Sequence, residues 1–86
     1  MPEISRFLGI IISMYYSDHG IPHFHVEYND YEASISINDI ALLGGNLPPR
    51  IFGLVSEWAI ENKTELLEDW NLAKEKQKLK KIKPLV

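Results

Sequence analysis

The chain has 86 residues, with twelve acidic and nine basic side chains, three histidines and no cysteine. That length holds one small domain, residues 1–86, and excludes a multi-domain enzyme, a dinucleotide-binding unit with its own substrate domain, or a β/α barrel. The lack of cysteine excludes disulfides, a thiol nucleophile and thiolate-ligated zinc or iron–sulfur centres, and the apolar share of 45% is too high for a disordered chain.

The leader Met1-Pro2-Glu3-Ile4-Ser5-Arg6 runs into an apolar stretch from Phe7 to Tyr16. A signal peptide needs a basic leader and a small-residue cleavage site, and a membrane span needs about 20 apolar residues. Glu3 stands in the leader and Tyr15-Tyr16-Ser17-Asp18-His19 follows the stretch, so a soluble cytoplasmic protein with no membrane partner is expected.

From Leu8 to Tyr16 the even positions Leu8, Ile10, Ile12, Met14 and Tyr16 are all large and apolar. Alternation with β-branched residues predicts one strand with one buried face. Ser17 to Pro22 carries turn chemistry, with Gly20 and Pro22 as breakers. His23–Tyr28 and Tyr31–Ile37 read as two strands of a hairpin joined by Asn29-Asp30, a pair suited to a type I′ turn. A two-residue loop sets Tyr28 opposite Tyr31, Val26 opposite Ala33 and Phe24 opposite Ile35. The other face then pairs Glu27 with Glu32, His25 with Ser34 and His23 with Ser36.

Ile40–Leu43 suggests a brief edge strand, and Gly44-Gly45 reads as turn geometry rather than a phosphate cradle. Leu47-Pro48-Pro49-Arg50 opens a helix, since proline is tolerated in the first turn. Ile51, Leu54, Val55 and Trp58 recur at helical spacing. Asn62 followed by Glu65 reads as a capping box that starts a second helix from Lys63. That helix carries Leu66, Leu67, Trp70 and Ala73 on its apolar side and Glu65, Glu68 and Asp69 on its polar side. Trp58 and Trp70 fall at core spacing. Residues 74–86 form a lysine-rich tail or arm in which Ile82, Leu85 and Val86 can pack. The predicted architecture is α+β: an antiparallel sheet of three to four strands in the first half, with two helices on its apolar face, in two layers.

Charge is unevenly placed. Residues 1–73 sum to −8, whereas residues 74–83 hold six lysines against Glu75 and sum to +5. Such a tail is either a solvated helix end or a phosphate-contacting segment, in which case Lys78, Lys80, Lys81 and Lys83 are the candidate nucleic-acid contacts. No arginine or aromatic is interleaved there, so a base-stacking platform is missing.

All three histidines fall within seven residues, His19, His23 and His25, beside Asp18. His23 and His25 stand two apart in a strand and share a face, and Glu27 continues the row. The candidate functional surface is Asp18, His19, His23, His25, Glu27, Glu32 and Ser34, joined by Ser13 and Tyr15 if the first strand is the neighbour. Imidazole and carboxylate together suit zinc, manganese or iron, which makes His19, His23 and His25 candidate ligands. Facing glutamates repel, and a cation or a nearby histidinium relieves them. The simpler reading of the same face is a solvated or partner-binding surface, and a third is a pH-sensitive contact, because imidazole titrates near neutrality. His23-Phe24-His25 is the triplet of nucleases that pair it with a helical tyrosine, but all four tyrosines fall on or beside strands. In nucleotide hydrolases with three alternating histidines the third position is histidine, and here it is Glu27. Glycine-rich phosphate loops, GxSxG and HExxH are absent.

Ile4-Ser5-Arg6-Phe7, Met14-Tyr15, Asp18-His19, Pro22-His23-Phe24-His25-Val26 and Glu32-Ala33 resemble the bacterial family called domain of unknown function 4160. So do Leu47-Pro48, Glu57-Trp58-Ala59, Glu65-Leu66 to Trp70, and Lys80-Lys81-Ile82 with Pro84-Leu85. Family members more often have proline where this chain has Ile21. The resemblance implies a small bacterial or phage-borne protein, often encoded beside another short protein in the manner of a toxin–antitoxin pair. It implies no reaction.

Three functions follow as expectations. The first is a component of such a gene pair, or a regulator, that binds a partner protein encoded nearby, without enzymatic activity. The second is a metal-dependent hydrolase or nuclease using His19, His23 and His25 with Asp18 and Glu27. The third is a DNA-binding regulator acting through the lysine tail. A homo-oligomer is compatible with an exposed sheet edge or the arm.

Overall fold

A computed structural model describes residues 2–16 and 18–86. The fold is α+β. A five-stranded antiparallel sheet comes first, with β1 at Glu3–Phe7, β2 at Ile10–Ser13, β3 at His23–Tyr28, β4 at Tyr31–Ser36 and β5 at Leu42–Gly45. Helices α1, Pro49–Glu61, and α2, Lys63–Lys74, follow. The strands form a simple meander in the order β1-β2-β3-β4-β5.

The sheet has more strands than the three to four expected because the leader Glu3–Phe7 is itself a strand, and the strand expected over Leu8–Tyr16 is confined to Ile10–Ser13. Leu8 and Gly9 adopt φ of 52° and 79° and form a two-residue turn, so β1 folds back on β2 with Phe7 opposite Ile10. Two positive φ values match the right-handed twist of a tight hairpin. Ile10, Ile12 and Met14 are fully buried, as the alternation requires, while Leu8 and Tyr16 are exposed.

The β3–β4 hairpin has the predicted register, with all six pairs from His23–Ser36 to Tyr28–Tyr31 in place. Of its two turn residues only Asn29 takes positive φ, so the turn departs from type I′ at Asp30. Gly44 and Gly45 are strand residues and not a turn: they pair with Ser34 and Ala33, and the register shifts between Ser34 and Ile35. Edge strand β5 is exposed along its length.

The core fills the space between one sheet face and the helices. Trp58 of α1 is buried with its ring 5.7 Å from Phe7 and 6.0 Å from Phe24. Leu66, Trp70 and Ala73 bring α2 onto the same cluster. α1 starts at the predicted proline step, with Pro48 at its N-cap.

The predicted capping box at Asn62 is not formed. Asn62 makes no side-chain cap bond to α2; its Nδ2 instead donates to the Trp58 carbonyl at 2.8 Å, closing α1 from behind. Nor does Asp69 belong to the polar side of α2. It is buried, and its Oδ1 accepts the Lys80 N–H at 2.9 Å.

That bond is one of several that dock the tail as an arm. The Ile82 N–H donates to the Ile4 carbonyl at 2.8 Å, the Trp58 indole N–H donates to the Lys83 carbonyl at 2.8 Å, and Ile82 is buried. The arm therefore lies along the outer edge of β1, while Val86 remains exposed. Among the described residues, no helix is long and apolar enough to cross a membrane.

Candidate functional site

Period-2 geometry places His23 and His25 on the sheet face opposite the core, with ring centroids 5.2 Å apart. The β2–β3 connection brings Asp18 back over them. It is held in part by the Ile37 N–H, which donates to the Pro22 carbonyl at 3.0 Å. Asp18 Oδ2 stands 2.9 Å from His25 Nε2 and 3.3 Å from His23 Nε2. One ligand atom from each of the three residues lies within 4.8 Å of the others, and all three side chains are half-buried.

The outer nitrogens decide what the inner ones offer. His23 Nδ1 is 2.8 Å from the Ile21 carbonyl, which only accepts, so Nδ1 carries a proton. In the neutral ring Nε2 then presents a bare lone pair toward Asp18 Oδ2. Two acceptors face each other there. A cation or a further proton between them removes the repulsion.

His25 is held from its other side by Ser34, whose Oγ is 3.3 Å from Nδ1, and by Tyr15, whose ring meets it edge-on at 4.3 Å. The His23 ring lies 5.1 Å from Trp70. Ring orientation is thus fixed by packing and by hydrogen bonds on the far nitrogens, the arrangement that sets tautomer and direction in imidazole metal ligands.

The remaining predicted site residues are distributed around this group. His19 is exposed and outside it, on the wall of a surface hollow formed with Tyr16, Asp18, Trp70, Lys74 and Lys76. Glu27 and Glu32 face each other across β3 and β4, and with Tyr15, Ser34, Gly44 and Gly45 they line a groove on the far side of His25. Burial pushes the Tyr15 phenol up, reinforced by the carboxylates of Glu27, Glu32 and Asp18. Ser13 pairs with His25 and is buried. Ser17, in the predicted turn, lies outside the described residues.

The four candidate nucleic-acid lysines, Lys78, Lys80, Lys81 and Lys83, are not among the residues lining that hollow or that groove. Lys81 Nζ donates to the Glu3 carbonyl at 2.8 Å, while Lys78, Lys80 and Lys83 are exposed. Sequence reasoning missed Trp70, Lys74 and Lys76 as neighbours of the histidines. The signal was slight, because Trp70 reads as a core residue and the lysines as a solvated helix end.

The chemistry of the donor set fits a divalent metal. Ligand atoms about 2.1 Å from a tetrahedral zinc stand roughly 3.4 Å apart. The Asp18–His23 separation of 3.3 Å is of that size, whereas the Asp18–His25 separation of 2.9 Å is that of a direct hydrogen bond, which an ion would have to replace. Two imidazoles and one carboxylate leave coordination positions open, as catalytic sites do and closed structural sites do not.

No curated protein and no solved structure matches the chain. The family model for domain of unknown function 4160, DUF4160, matches residues 9–71. The match includes every residue of the histidine group and leaves Ile4–Phe7 and Lys80–Leu85 outside. Since it spans well over half of the sequence, the chain belongs to the DUF4160 family.

Proposed function

We propose that the chain is a small metal-dependent hydrolase whose centre is Asp18, His23 and His25, with zinc, manganese or iron as the metal. One observation carries this reading: the Ile21 carbonyl fixes a proton on His23 Nδ1, so in the neutral ring the Nε2 lone pair faces Asp18 Oδ2 at 3.3 Å. A divalent ion held there acts as a Lewis acid and lowers the pKa of bound water toward neutrality.

The residues of the chain supply the rest. Asp18 and the two Nε2 atoms provide negative and lone-pair density at one point. Ser34 accepts the Nδ1 proton of His25 when Nε2 is a ligand. Trp70 and Tyr15 flank the rings and restrict them to the ligating orientation. The hollow beside Asp18 gives a substrate access.

The test is hydrolysis of p-nitrophenyl esters by protein loaded with zinc or manganese, beside a variant with His23→Ala and His25→Ala together. Turnover that requires metal and disappears in the variant, with circular dichroism unchanged, supports the reading. Equal turnover in both proteins overturns it.

A partner-binding role, in a cytoplasmic gene pair of the toxin–antitoxin type, is the second reading. The observation favouring it is the free edge of β5, where Leu42 and Leu43 are both exposed and the backbone is open to an added strand. Co-expression with the neighbouring gene product tests it: Leu43→Lys should break a complex that the wild type forms, and absence of any complex removes the reading.

A further inference from the structure

We infer that the substrate carries a phosphate group, and that Lys74 and Lys76 form the subsite for it beside the metal centre. The inference rests on the hydrolase reading above and names the substrate class of that same site.

The hollow next to Asp18 is lined by Tyr16, His19, Gly20 and Trp70, with Lys74 and Lys76 at its α2 end. On a body whose first 73 residues sum to −8, two ammonium groups on one wall of a hollow are a local reversal of sign. Neither ammonium group is engaged elsewhere: among the described residues Lys74 and Lys76, like Lys78, Lys80 and Lys83, make no side-chain hydrogen bond or ion pair, but only Lys74 and Lys76 line the hollow.

A second observation comes from the backbone. α2 ends in a Schellman motif, with the Lys76 N–H donating to the Ala73 carbonyl at 3.0 Å and the Gln77 N–H donating to the Leu72 carbonyl at 2.8 Å. Lys76 occupies the left-handed position of that motif, at φ 56°. Glycine is the residue this position favours, because a side chain there meets the following carbonyl. The helix terminus thereby fixes the backbone of Lys76 on the rim of the hollow, in a conformation that glycine would adopt at lower cost.

Geometry also selects the ligand class. The metal centre and the lysines share the hollow through Asp18. An oxyanion bound between them receives a Lewis acid on one oxygen and ammonium donors on the others. Phosphate monoesters and diesters have oxygens for both, whereas a neutral carboxylic ester has no charge for the lysines to meet. Hydrolysis then breaks the ester P–O bond: water supplies the new P–OH oxygen, and its other proton leaves with the released alcohol.

Isothermal titration with inorganic phosphate, with and without one equivalent of zinc, tests this on the full chain, using wild type, Lys74→Gln with Lys76→Gln, and Lys76→Gly. The double variant should bind zinc as wild type does and lose about fivefold in phosphate affinity per lysine. Lys76→Gly should lose phosphate affinity and yet melt about 4 °C higher. Zinc bound normally with phosphate affinity unchanged in both variants overturns the inference. If no protein takes up zinc, the hydrolase reading fails; lysine-dependent phosphate binding then still keeps the subsite, and its absence removes it. Cleavage of p-nitrophenyl phosphate but not bis(p-nitrophenyl) phosphate assigns a monoester substrate, and the reverse assigns a diester such as a nucleic-acid backbone.

Discussion

Two adjacent glycines in β5 should respond oppositely to the same substitution. Gly45 sits at φ 73°, and a Cβ there would overlap the Glu32 carbonyl oxygen and stand 2.9 Å from Ala33 Cα. The left-handed backbone alone costs an alanine about 1–2 kcal/mol. The Glu32 carbonyl also accepts the Asn46 N–H at 3.0 Å, and pushing it aside forfeits about 1 kcal/mol more. Gly45→Ala should therefore destabilise by about 2–3 kcal/mol and lower the melting temperature by on the order of 10–20 °C. Gly44 has no positive φ, and no atom lies within 4 Å of its added Cβ. Gly44→Ala should fall within about 0.5 kcal/mol of wild type. Urea melts followed by far-ultraviolet circular dichroism give both values. Equal effects at the two positions, or a loss below about 1 kcal/mol at Gly45, would refute the placement of β5 against β4.

The connection between the helices offers a similar contrast. Asn62→Ala should cost about 1–2 kcal/mol, because Asn62 is buried and closes α1 through the Trp58 carbonyl, whereas Glu65→Ala should change stability by less than about 0.5 kcal/mol; denaturant melts with equal losses would restore the capping box. Burial raises the Asp69 carboxyl above the usual carboxylate range, against the lowering effect of the Lys80 N–H. Its protonated form therefore favours the folded state, a contribution fully present below the ordinary value of about 3.9 and lost as pH rises through the folded value. Denaturant melts from neutral pH down to about pH 4 should show wild type gaining stability relative to Asp69→Asn, and the opposite slope would contradict the burial.

The parts of the fold legible in the sequence were those set by local periodicity. The β3–β4 register followed from a two-residue loop and strict alternation, since a slip by one residue would put Phe24 and Val26 on the histidine face. The β1–β2 turn escaped notice because Leu8 continues the apolar alternation, and Gly9 alone is a thin turn signal. Asp69 and Asn62 misled for one reason. Asp69 read as solvent-facing and Asn62 as an N-cap, the commonest local roles of such residues, and only the docked arm and the α1 terminus supply the buried partners that reverse this.

The candidate site divides along the same line. His23 and His25 share a face by strand geometry, which any alternating segment reveals. The return of Asp18 and the proton on His23 Nδ1 depend on a loop conformation and a backbone carbonyl, neither of which has a residue-type signature. Lys76 was read as part of a charge run, and its left-handed backbone emerges only from the way α2 ends.

The measurement closest to the central claim is the metal content of untagged protein, before and after equilibration with zinc, manganese or iron, beside the His23→Ala, His25→Ala double variant. A metal centre requires close to one ion per wild-type chain, lost in the variant while its circular dichroism spectrum is retained. No uptake by wild type, or the same uptake by a folded variant, would contradict a metal centre at Asp18, His23 and His25.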